Sequence, residues 1–409
     1  MIIIGAGICG ISSAIWLQRA GREVIVIDKT APGMGASFGN SGLIAQWAIA
    51  PVTSPELWRD APRYLADRYG PLFLKWADVP GMLPWLARFL SNTSDAKTRR
   101  IVGHLHGLAG DAVEQHKSLV RGTTLEHWVN DSKVNYVYPN EAAFKKDAYT
   151  WGLKQAHGIS PDLITGRDVH DEEPILSRDI TCVAQISGQG HITDPGGYVT
   201  ALAAYFASQG GKIVQAEVRD LHKTDGKVDQ VLTDVGAFDC SEVVISAGIW
   251  SKDLMKNIGL SIPMQAERGY HVVFENPSQL PRNPMLMTEG KFGVNPMQMG
   301  LRCSGTVELG SHHSAASDAP LKAIYHHAKR AFPKLTYSGT TEWMGFRPST
   351  CDSLPVIGQI GDSGIFTAFG HQHIGLTTGP KTGRIISQLI TDTPPNADIA
   401  VFAPARFGL

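Results

Sequence analysis

Gly5-Ala6-Gly7-Ile8-Cys9-Gly10 follows the apolar run Ile2 to Ile4 at the start of this 409-residue chain. The G-x-G-x-x-G spacing lies between a predicted buried strand at 2–4 and a predicted helix at 8–20, which is the start of a βαβ nucleotide-binding unit. Gly5 permits the tight turn, Gly7 lets a pyrophosphate approach the backbone, and Gly10 lets the helix pack on the strand. The helix N-terminus then offers free N–H groups to phosphate.

A second strand is predicted at 24–27, and Asp28 closes it roughly 20 residues beyond the glycines. A carboxylate at this place accepts hydrogen bonds from a ribose diol and disfavours a 2′-phosphate. The following segment, from Gly33 to Gly42, is small and polar, so its backbone N–H groups suit the rest of a long dinucleotide. These residues alone leave open which dinucleotide is bound.

Composition argues against several classes of protein. The chain has 37 Lys and Arg against 38 Asp and Glu, and this balance provides no field that would gather nucleic acid. The 5 cysteines include no C-x-x-C pair, so neither a disulfide framework nor a zinc site is predicted, and a cytoplasmic location is expected. No stretch reaches the roughly 20 apolar residues that span a bilayer. The aromatic-rich segment 47–89 leaves two alternatives open, a helix pair that buries its aromatics or peripheral association with the inner face of the cytoplasmic membrane.

Nucleotide-binding segments are predicted at the start, middle and end of the chain. Further helices are predicted at 56–90, 97–120, 195–209, 321–331 and 379–390. Further strands are predicted at 134–138, 212–218, 228–233, 243–246 and 366–368, and an antiparallel sheet at 263–310. The pattern predicts an α/β fold, α+β overall, with a Rossmann-like domain interleaved with a substrate domain built on a mainly antiparallel sheet plus helices. The predicted dinucleotide domain comprises 1–47, 141–255 and 345–409, and the substrate domain comprises 48–140 and 256–344.

Three later motifs carry a family resemblance. Val243 to Ser251 reads VVISAGIWS, Gly345 to Gly358 contains GFRP followed by Asp352 and P-V-I-G, and Gly370 to Leu376 reads GHQHIGL. With GAGICG, Asp28 and ASFGNSGLI, these segments resemble the D-amino acid oxidase superfamily of FAD-dependent oxidoreductases, especially the bacterial D-amino acid dehydrogenases. The resemblance implies an FAD cofactor. It also implies noncovalent FAD, since Cys351 is not at the position where sarcosine-oxidase relatives attach their flavin.

The resemblance implies roles for individual residues. Arg347 would grip the substrate carboxylate, because a guanidinium meets a carboxylate with two parallel charge-assisted hydrogen bonds. His371 and His373 would hydrogen-bond flavin or substrate, or tune the protonation of the amine. Histidine at 373 departs from the best-known D-amino acid dehydrogenases, which leaves the substrate open. The residues expected to bind FAD are Gly5, Gly7, Ile8, Gly10, Asp28, Lys29, Ser37, Asn40, Ser41, Gly42, Val218, Ala247, Gly248, Trp250, Gly370, Gly375, Leu376 and Thr377.

Pro380 fits the first turn of the last predicted helix, whose positive end would then face the ligand. His371 with His373, His312-His313 and His326-His327 also invite a metal interpretation. No Asp, Glu or Cys lies near these pairs in sequence at a familiar ligand spacing, so no metal is predicted.

The predicted reaction is oxidative deamination or dehydrogenation of a small D-amino acid or a proline-like imino acid such as hydroxyproline, with hydride passing from Cα to flavin N5. Such an enzyme belongs to amino acid catabolism. A glycine- or sarcosine-type secondary-amine oxidase that uses oxygen is the alternative within the family. An NAD-dependent dehydrogenase and a noncatalytic nucleotide-binding module are alternatives of other classes. The electron acceptor stays open between a quinone, a respiratory carrier and oxygen.

Overall fold

A computed structural model describes residues 1–395 and 397–408 of the chain. The helices are α1 Ile8–Arg19, α2 Glu56–Ala66, α3 Val79–Leu90, α4 Asp95–Ala109, α5 Ala112–Val120, α6 Glu141–Lys146, α7 Ala148–Gln155, α8 Asp168–Glu172, α9 Pro195–Ser208, α10 Ser251–Asn257, α11 Asp318–Ala331 and α12 Gly375–Ile390. The strands are β1 Ile2–Ile4, β2 Ile25–Asp28, β3 Leu43–Ile44, β4 Leu72–Leu74, β5 Asn130–Tyr138, β6 Asp162–Thr165, β7 Cys182–His191, β8 Lys212–Gln215, β9 Val218–Thr224, β10 Lys227–Thr233, β11 Gly236–Asp239, β12 Val243–Ile245, β13 Met264–Glu275, β14 Met285–Met287, β15 Phe292–Met297, β16 Gly300–Leu309, β17 Gly339–Thr350, β18 Val356–Gln359 and β19 Ile365–Phe369.

One sheet joins segments that are far apart in the chain, in the strand order β18-β19-β12-β1-β2-β8. All of its neighbouring strands are parallel except β18 and β19. The central strand β1 is buried on both faces, because Ile3 packs with α1, α9 and α12 while Ile2 and Ile4 pack with β9 and β10. Burial on both faces explains why β1 is a continuous apolar run rather than an alternating one.

A larger sheet has the strand order β17-β13-β16-β15-β14-β5-β7-β3, and β4 and β6 pair with β16 and β7. Its pairs are antiparallel apart from β14 with β5 and β16 with β4. The predicted fold class is therefore confirmed, with a mainly parallel Rossmann-like sheet and a mainly antiparallel second sheet. The strand β7 lies in the segment 141–255 yet pairs with β5 of the larger sheet. The assignment of domain boundaries stays a prediction.

Several predicted elements differ from the structure. The helix predicted at 56–90 was wrong, because Pro71 disfavours a helical Gly70 and α2 ends at Ala66, before the strand β4. The segment 97–120 forms two helices, separated at Gly110 and Asp111. The strand predicted at 212–218 is divided between β8 and β9.

The position predicted for Pro380 was also wrong. The last helix begins at Gly375, so Pro380 lies beyond its first turn, inside α12. A proline inside a helix leaves the carbonyl oxygen of the residue four positions earlier without its usual N–H donor. That acceptor is Leu376 O, and the Nε2–H of His116 bonds to it instead, at 2.9 Å.

Within the described ranges 1–395 and 397–408, no helix combines the length and the apolar character that crossing a membrane requires.

Candidate active site

A continuous cavity of about 1220 Å³ lies between the two sheets. Its lining includes residues at the carboxyl ends of β1, β2 and β12, among them Gly5, Asp28 and Ala247. It also includes residues of β13 and β17 and of the turn before α12. Ligands of open α/β sheets bind beyond the carboxyl ends of the strands, and this cavity occupies that place.

The glycine loop has the close packing that its motif predicts. Gly5 has φ +109, and a Cβ there would lie 2.5 Å from the carbonyl oxygen of Ser246. A Cβ on Gly10 would lie 1.9 Å from the carbonyl oxygen of Gly5. No similar clash faces Gly7, whose nearest neighbour is the Ser37 hydroxyl at 3.5 Å. Gly5 and Gly10 therefore allow the strand, turn and helix to pack, whereas Gly7 lines the cavity.

Asp28 braces this loop as well as lining the cavity. Its Oδ2 accepts the N–H of Ala6 at 2.7 Å, and its Oδ1 accepts the N–H of Thr30 at 2.8 Å. At the start of α1, the N–H of Ile8 donates to the Ser37 hydroxyl at 3.1 Å. The polar segment after Gly33 thus returns to the helix N-terminus, where an anionic ligand is favoured.

Most of the residues predicted to bind FAD line this cavity. They are Gly5, Gly7, Ile8, Asp28, Lys29, Ser37, Asn40, Ser41, Val218, Ala247, Gly248, Trp250, Gly370, Gly375, Leu376 and Thr377. Lys29 Nζ lies 3.9 Å from the ring centroid of Trp250. Gly10 and Gly42 lie outside the lining. Gly42 has φ +78, and its N–H donates to Asn40 Oδ1 at 2.9 Å, so it shapes the turn.

Arg347 and His373 both line the cavity, and the charge of Arg347 acts on the imidazole of His373. The turn that carries His373 is held against β17, because the N–H of Gln372 donates to Pro348 O at 3.2 Å. Thr306 O is the acceptor of Arg347 Nη1, at 3.3 Å, and no other hydrogen bond of this guanidinium is found among the described residues. Burial lowers the pKa of His373 to about 4, and the positive charge of Arg347 makes a smaller contribution in the same direction. This imidazole is therefore neutral at pH 7.

His371 has a different environment from His373. Its Nε2 hydrogen-bonds the Thr382 hydroxyl at 2.9 Å, and its Nδ1 lies 3.6 Å from Cys9 Sγ. Burial lowers the pKa of His371 to about 3. The ring lines the cavity, but its nitrogens join α1, α12 and the turn between β19 and α12.

Sequence reasoning missed several residues that lie around Arg347. Glu267 is buried and lines the cavity. In the register of β13 and β17 it lies directly opposite Arg347. Trp343 stacks on His271 with ring centroids 5.1 Å apart. A Cβ on Gly269 would lie 2.6 Å from Arg347 Nη2, so this glycine leaves room for the guanidinium. The predicted antiparallel segment contained Glu267 and Gly269, but no local motif joined them to Arg347.

The structure brings together one group of possible metal ligands that sequence spacing did not reveal. Asp253, from α10, lies beside His312 and His313, and one ligand atom from each falls within 4.8 Å of the others. Asp253 Oδ2 is 3.1 Å from His312 Nε2. Sequence spacing hid this group because the strands β13 to β16 separate its members along the chain.

The residues of the cavity fit an FAD. A Cβ on Gly7 would meet nothing closer than the Ser37 hydroxyl at 3.5 Å, so the backbone there is open to a phosphate at the N-terminus of α1. The loop around Gly7, the carboxylate of Asp28 and the residues after Ser246 would hold the dinucleotide part.

Comparisons with known proteins identify the family of this chain. A family model described as DAO, FAD dependent oxidoreductase, matches residues 1–389. The chain is 34% identical to a D-amino-acid oxidase of Bradyrhizobium diazoefficiens, covering 99% of this chain and 98% of that protein. It is 26% identical to a D-amino acid dehydrogenase of Rhizobium rhizogenes, covering 99% of each. The structure of glycine oxidase from Bacillus cereus superposes with a TM-score of 0.74 at 22% identity, covering 97% and 98% of the two chains. The chain therefore belongs to the DAO family of FAD-dependent oxidoreductases.

Proposed function

We propose that this enzyme oxidises the carbon–nitrogen bond of a small D-amino acid or a proline-like imino acid. The observation that carries the proposal is that Arg347 lines the same cavity as the glycine loop. A guanidinium has five N–H donors, and the single protein acceptor found for Arg347 leaves most of them for a ligand. A carboxylate is the anion whose two oxygens match this planar fork.

The chain supplies positioning and a polar environment for the reaction. Arg347 would hold the carboxylate and so fix the direction of the Cα–H bond. His373, neutral at pH 7, has nitrogens able to hydrogen-bond a substrate without adding charge next to Arg347. Trp343 adds an apolar ring to the lining of the same cavity, and Phe38 packs beside it with ring centroids 6.2 Å apart. FAD, when bound, would supply the acceptor of the hydride from Cα.

The names of the curated relatives support the D-configuration, since the two most similar ones described above are a D-amino-acid oxidase and a D-amino acid dehydrogenase. The cyclic substrates, D-proline and hydroxyproline, belong to the proposal because a secondary amine presents the same carboxylate and Cα–H bond. The alternative, a glycine- or sarcosine-type secondary-amine oxidase, uses the same carboxylate grip and differs in substrate size and in electron acceptor.

Anaerobic bleaching of the flavin tests the proposal. The holoenzyme is mixed with D- and L-amino acids, D-proline, hydroxyproline, glycine and sarcosine, and the flavin absorbance is followed. Bleaching by small D-amino acids or D-imino acids is expected, and bleaching by glycine or sarcosine alone would favour the alternative. A protein that no amino acid bleaches would contradict the proposal. Readmission of air then separates an oxidase from a dehydrogenase that needs a quinone or a respiratory carrier.

We also propose peripheral contact with the inner face of the cytoplasmic membrane. In the described ranges 1–395 and 397–408, four large hydrophobic side chains are more than half exposed. Three of them lie within 47–89, namely Trp58 at 60%, Trp76 at 71% and Leu83 at 54%. Buried Trp85 and Phe89 in the same segment stack on each other, so only part of its aromatic surface is used in packing. Cosedimentation with vesicles of anionic phospholipid, lost in a Trp58→Ser, Trp76→Ser, Leu83→Ser variant, is the expected result. Equal sedimentation with and without vesicles would contradict it.

A further inference from the structure

The strand β13 carries two neighbouring charged residues that point to opposite faces of the sheet. Arg268 forms a buried ion pair with Glu308 of β16, in which Arg268 Nε lies 3.2 Å from Glu308 Oε2. Glu267 is directly opposite Arg347 of β17, and directly opposed residues project from the same face. These two side chains bond to other groups instead of to each other, since Ser349 Oγ donates to Glu267 Oε1 at 2.8 Å and Arg347 donates to Thr306 O. The second pair therefore presents two separate charges to the cavity.

Two glycines leave space beside this second pair. Gly269 and Gly345 are the next directly opposed residues on the same face. A Cβ on Gly269 would strike Arg347 Nη2, and a Cβ on Gly345 would lie 2.0 Å from the ring of Trp343. The guanidinium and the indole therefore lie over glycine backbone, and the sheet surface forms a floor with opposite charges at one end and an aromatic wall at the other.

We propose that Glu267 receives the amino group of the substrate while Arg347 holds its carboxylate. This inference rests on the proposed function, the oxidation of an amino acid. A zwitterionic α-amino acid carries one negative and one positive group on the same carbon, which is the complement of the charges on this floor. Glu267 is only 2% exposed and has one side-chain hydrogen bond, so a cationic ligand supplies the partner that a buried carboxylate needs.

Glu267 also has the chemistry to remove a proton from the amine. Oxidation of the C–N bond requires the nitrogen lone pair, which an ammonium group lacks. In the proposed step an N–H bond of the ammonium breaks, an O–H bond forms on Glu267, and the electron pair remains on nitrogen. Burial raises the pKa of Glu267, while Arg347 and the bond from Ser349 lower it, so the carboxylate is a better proton acceptor than an exposed one.

Few charged groups face Glu267 from the elements that pack on β13. The helix α11 packs on the opposite face of this strand, where Ile324 and Ala328 cluster with Val272 and Phe274. Arg347 faces it from β17, and His373 follows on the turn held against β17. On β16 the directly paired residue is Leu309, which is uncharged. The 3-10 helix Gly248–Trp250 has no titratable residue, and in α3, which also packs on β13, the charged residue is Arg88, which is exposed.

Ligand pairs that differ only in the amine test the assignment. Wild-type, Glu267→Gln and Arg347→Ala holoenzymes are compared with D-proline against cyclopentanecarboxylate and with D-alanine against propionate. The Kd of each amino acid comes from the concentration dependence of anaerobic flavin reduction, and the Kd of each unreactive carboxylate comes from the shift of the oxidised flavin spectrum. Glu267→Gln is expected to weaken the amino acids at least about tenfold and to tighten the amine-free carboxylates, because a repelling negative charge is removed. Arg347→Ala is expected to weaken all four ligands. Glu275→Gln, on the same strand and outside the cavity lining, is the matched control and should change none of them.

The pH profile separates a proton acceptor from a merely structural carboxylate. In Glu267→Gln only the already neutral amine reacts, so the acid limb of kcat/KM should move to higher pH, toward the pKa of the free amine. Ser349→Ala removes the hydrogen bond that lowers the pKa of Glu267, and its acid limb should also move upward. This second variant serves if Glu267→Gln does not retain FAD. Equal weakening of amino acids and plain carboxylates, or an acid limb that stays in place in Ser349→Ala, overturns the assignment. Failure of the proposed function is distinct, since the wild-type flavin would then respond to no amino acid.

Discussion

His116 donates its Nε2–H to the carbonyl oxygen of Leu376, 2.9 Å away. This carbonyl would normally accept the N–H of residue 380, which is a proline. Burial lowers the pKa of His116 to about 4, so the ring is neutral, and Nδ1 is free to accept from the Tyr198 hydroxyl at 3.1 Å. A side chain of α5 thus completes the first turns of α12, whose residues Gly375, Leu376 and Thr377 line the cavity.

His116→Phe is expected to destabilise the protein by about 1–3 kcal/mol, because Leu376 O would be buried without a donor. Pro380→Ala restores a backbone N–H for the same acceptor. The loss caused by His116→Phe should therefore be smaller when Pro380→Ala is already present, and a double-mutant cycle of urea unfolding measures the difference. Strictly additive effects would show that the two residues do not share this acceptor.

Buried neutral histidines make stability depend on pH. Burial lowers the pKa of His116 and His191 to about 4 and of His271 and His371 to about 3. The unfolded chain takes up these protons near pH 6.5 and the folded chain does not, so stability is fully present above that pH and is lost as pH falls toward 4. Each site contributes at most about 1.4 kcal/mol per pH unit.

The measurement for this second prediction is urea unfolding at pH 7 and at pH 5. His116→Gln should reduce the loss of stability between the two pH values, since one neutral buried imidazole is removed. His127→Gln, at an exposed position, is the control and should leave the loss unchanged. A wild-type protein equally stable at both pH values would rule out this account.

The fold could be predicted wherever a local pattern determines the structure. Ile2 to Ile4, the three glycines and Asp28 follow one another within a single βαβ unit, and the structure confirms their arrangement. The helix predicted across 56–90 was wrong because Pro71 disfavours a helical conformation at the residue before it. The predicted start of α12 lies too late in the chain. In α12, Pro380 has no backbone N–H to donate, and His116 of another helix supplies a donor instead. Sequence spacing gives no sign of such a contact.

The site shows the same division between local and distant relationships. Arg347 and His373 belong to motifs that a family resemblance makes visible, and the turn that carries His373 is hydrogen-bonded to β17. Glu267 reaches Arg347 only through the register of β13 and β17, and a shift of one residue would turn its side chain to the other face. Register of strands distant in sequence is set by tertiary packing, so a single sequence did not reveal it.

Asp28→Ala is expected to weaken FAD binding by about 1–3 kcal/mol, the range for a charge-assisted hydrogen bond. Part of the loss would come from the glycine loop, because Asp28 also accepts the N–H groups of Ala6 and Thr30. Asp28→Asn keeps one acceptor oxygen and should fall between the two proteins. Titration of the apoprotein with FAD measures the affinity, and added FAD should restore activity. Wild-type affinity in Asp28→Ala would show that Asp28 is not a ligand of the ribose, and Asp162→Ala, at an exposed position, serves as the control.

The last prediction concerns the grip of Arg347 on the substrate. Arg347→Ala removes a bidentate ion pair from an enclosed site, a loss that typically amounts to about 2–5 kcal/mol, so kcat/KM should fall at least about tenfold. Arg347→Lys should recover only part of it, because an ammonium keeps the charge and loses the planar fork. The amide of the best substrate lacks the anionic group, and its turnover should be almost indifferent to either change. Flavin content is measured in each variant, since Gly269 and Thr306 also contact this side chain. If acid and amide lose activity alike while the flavin is retained, Arg347 supports the fold of the site and does not bind the carboxylate.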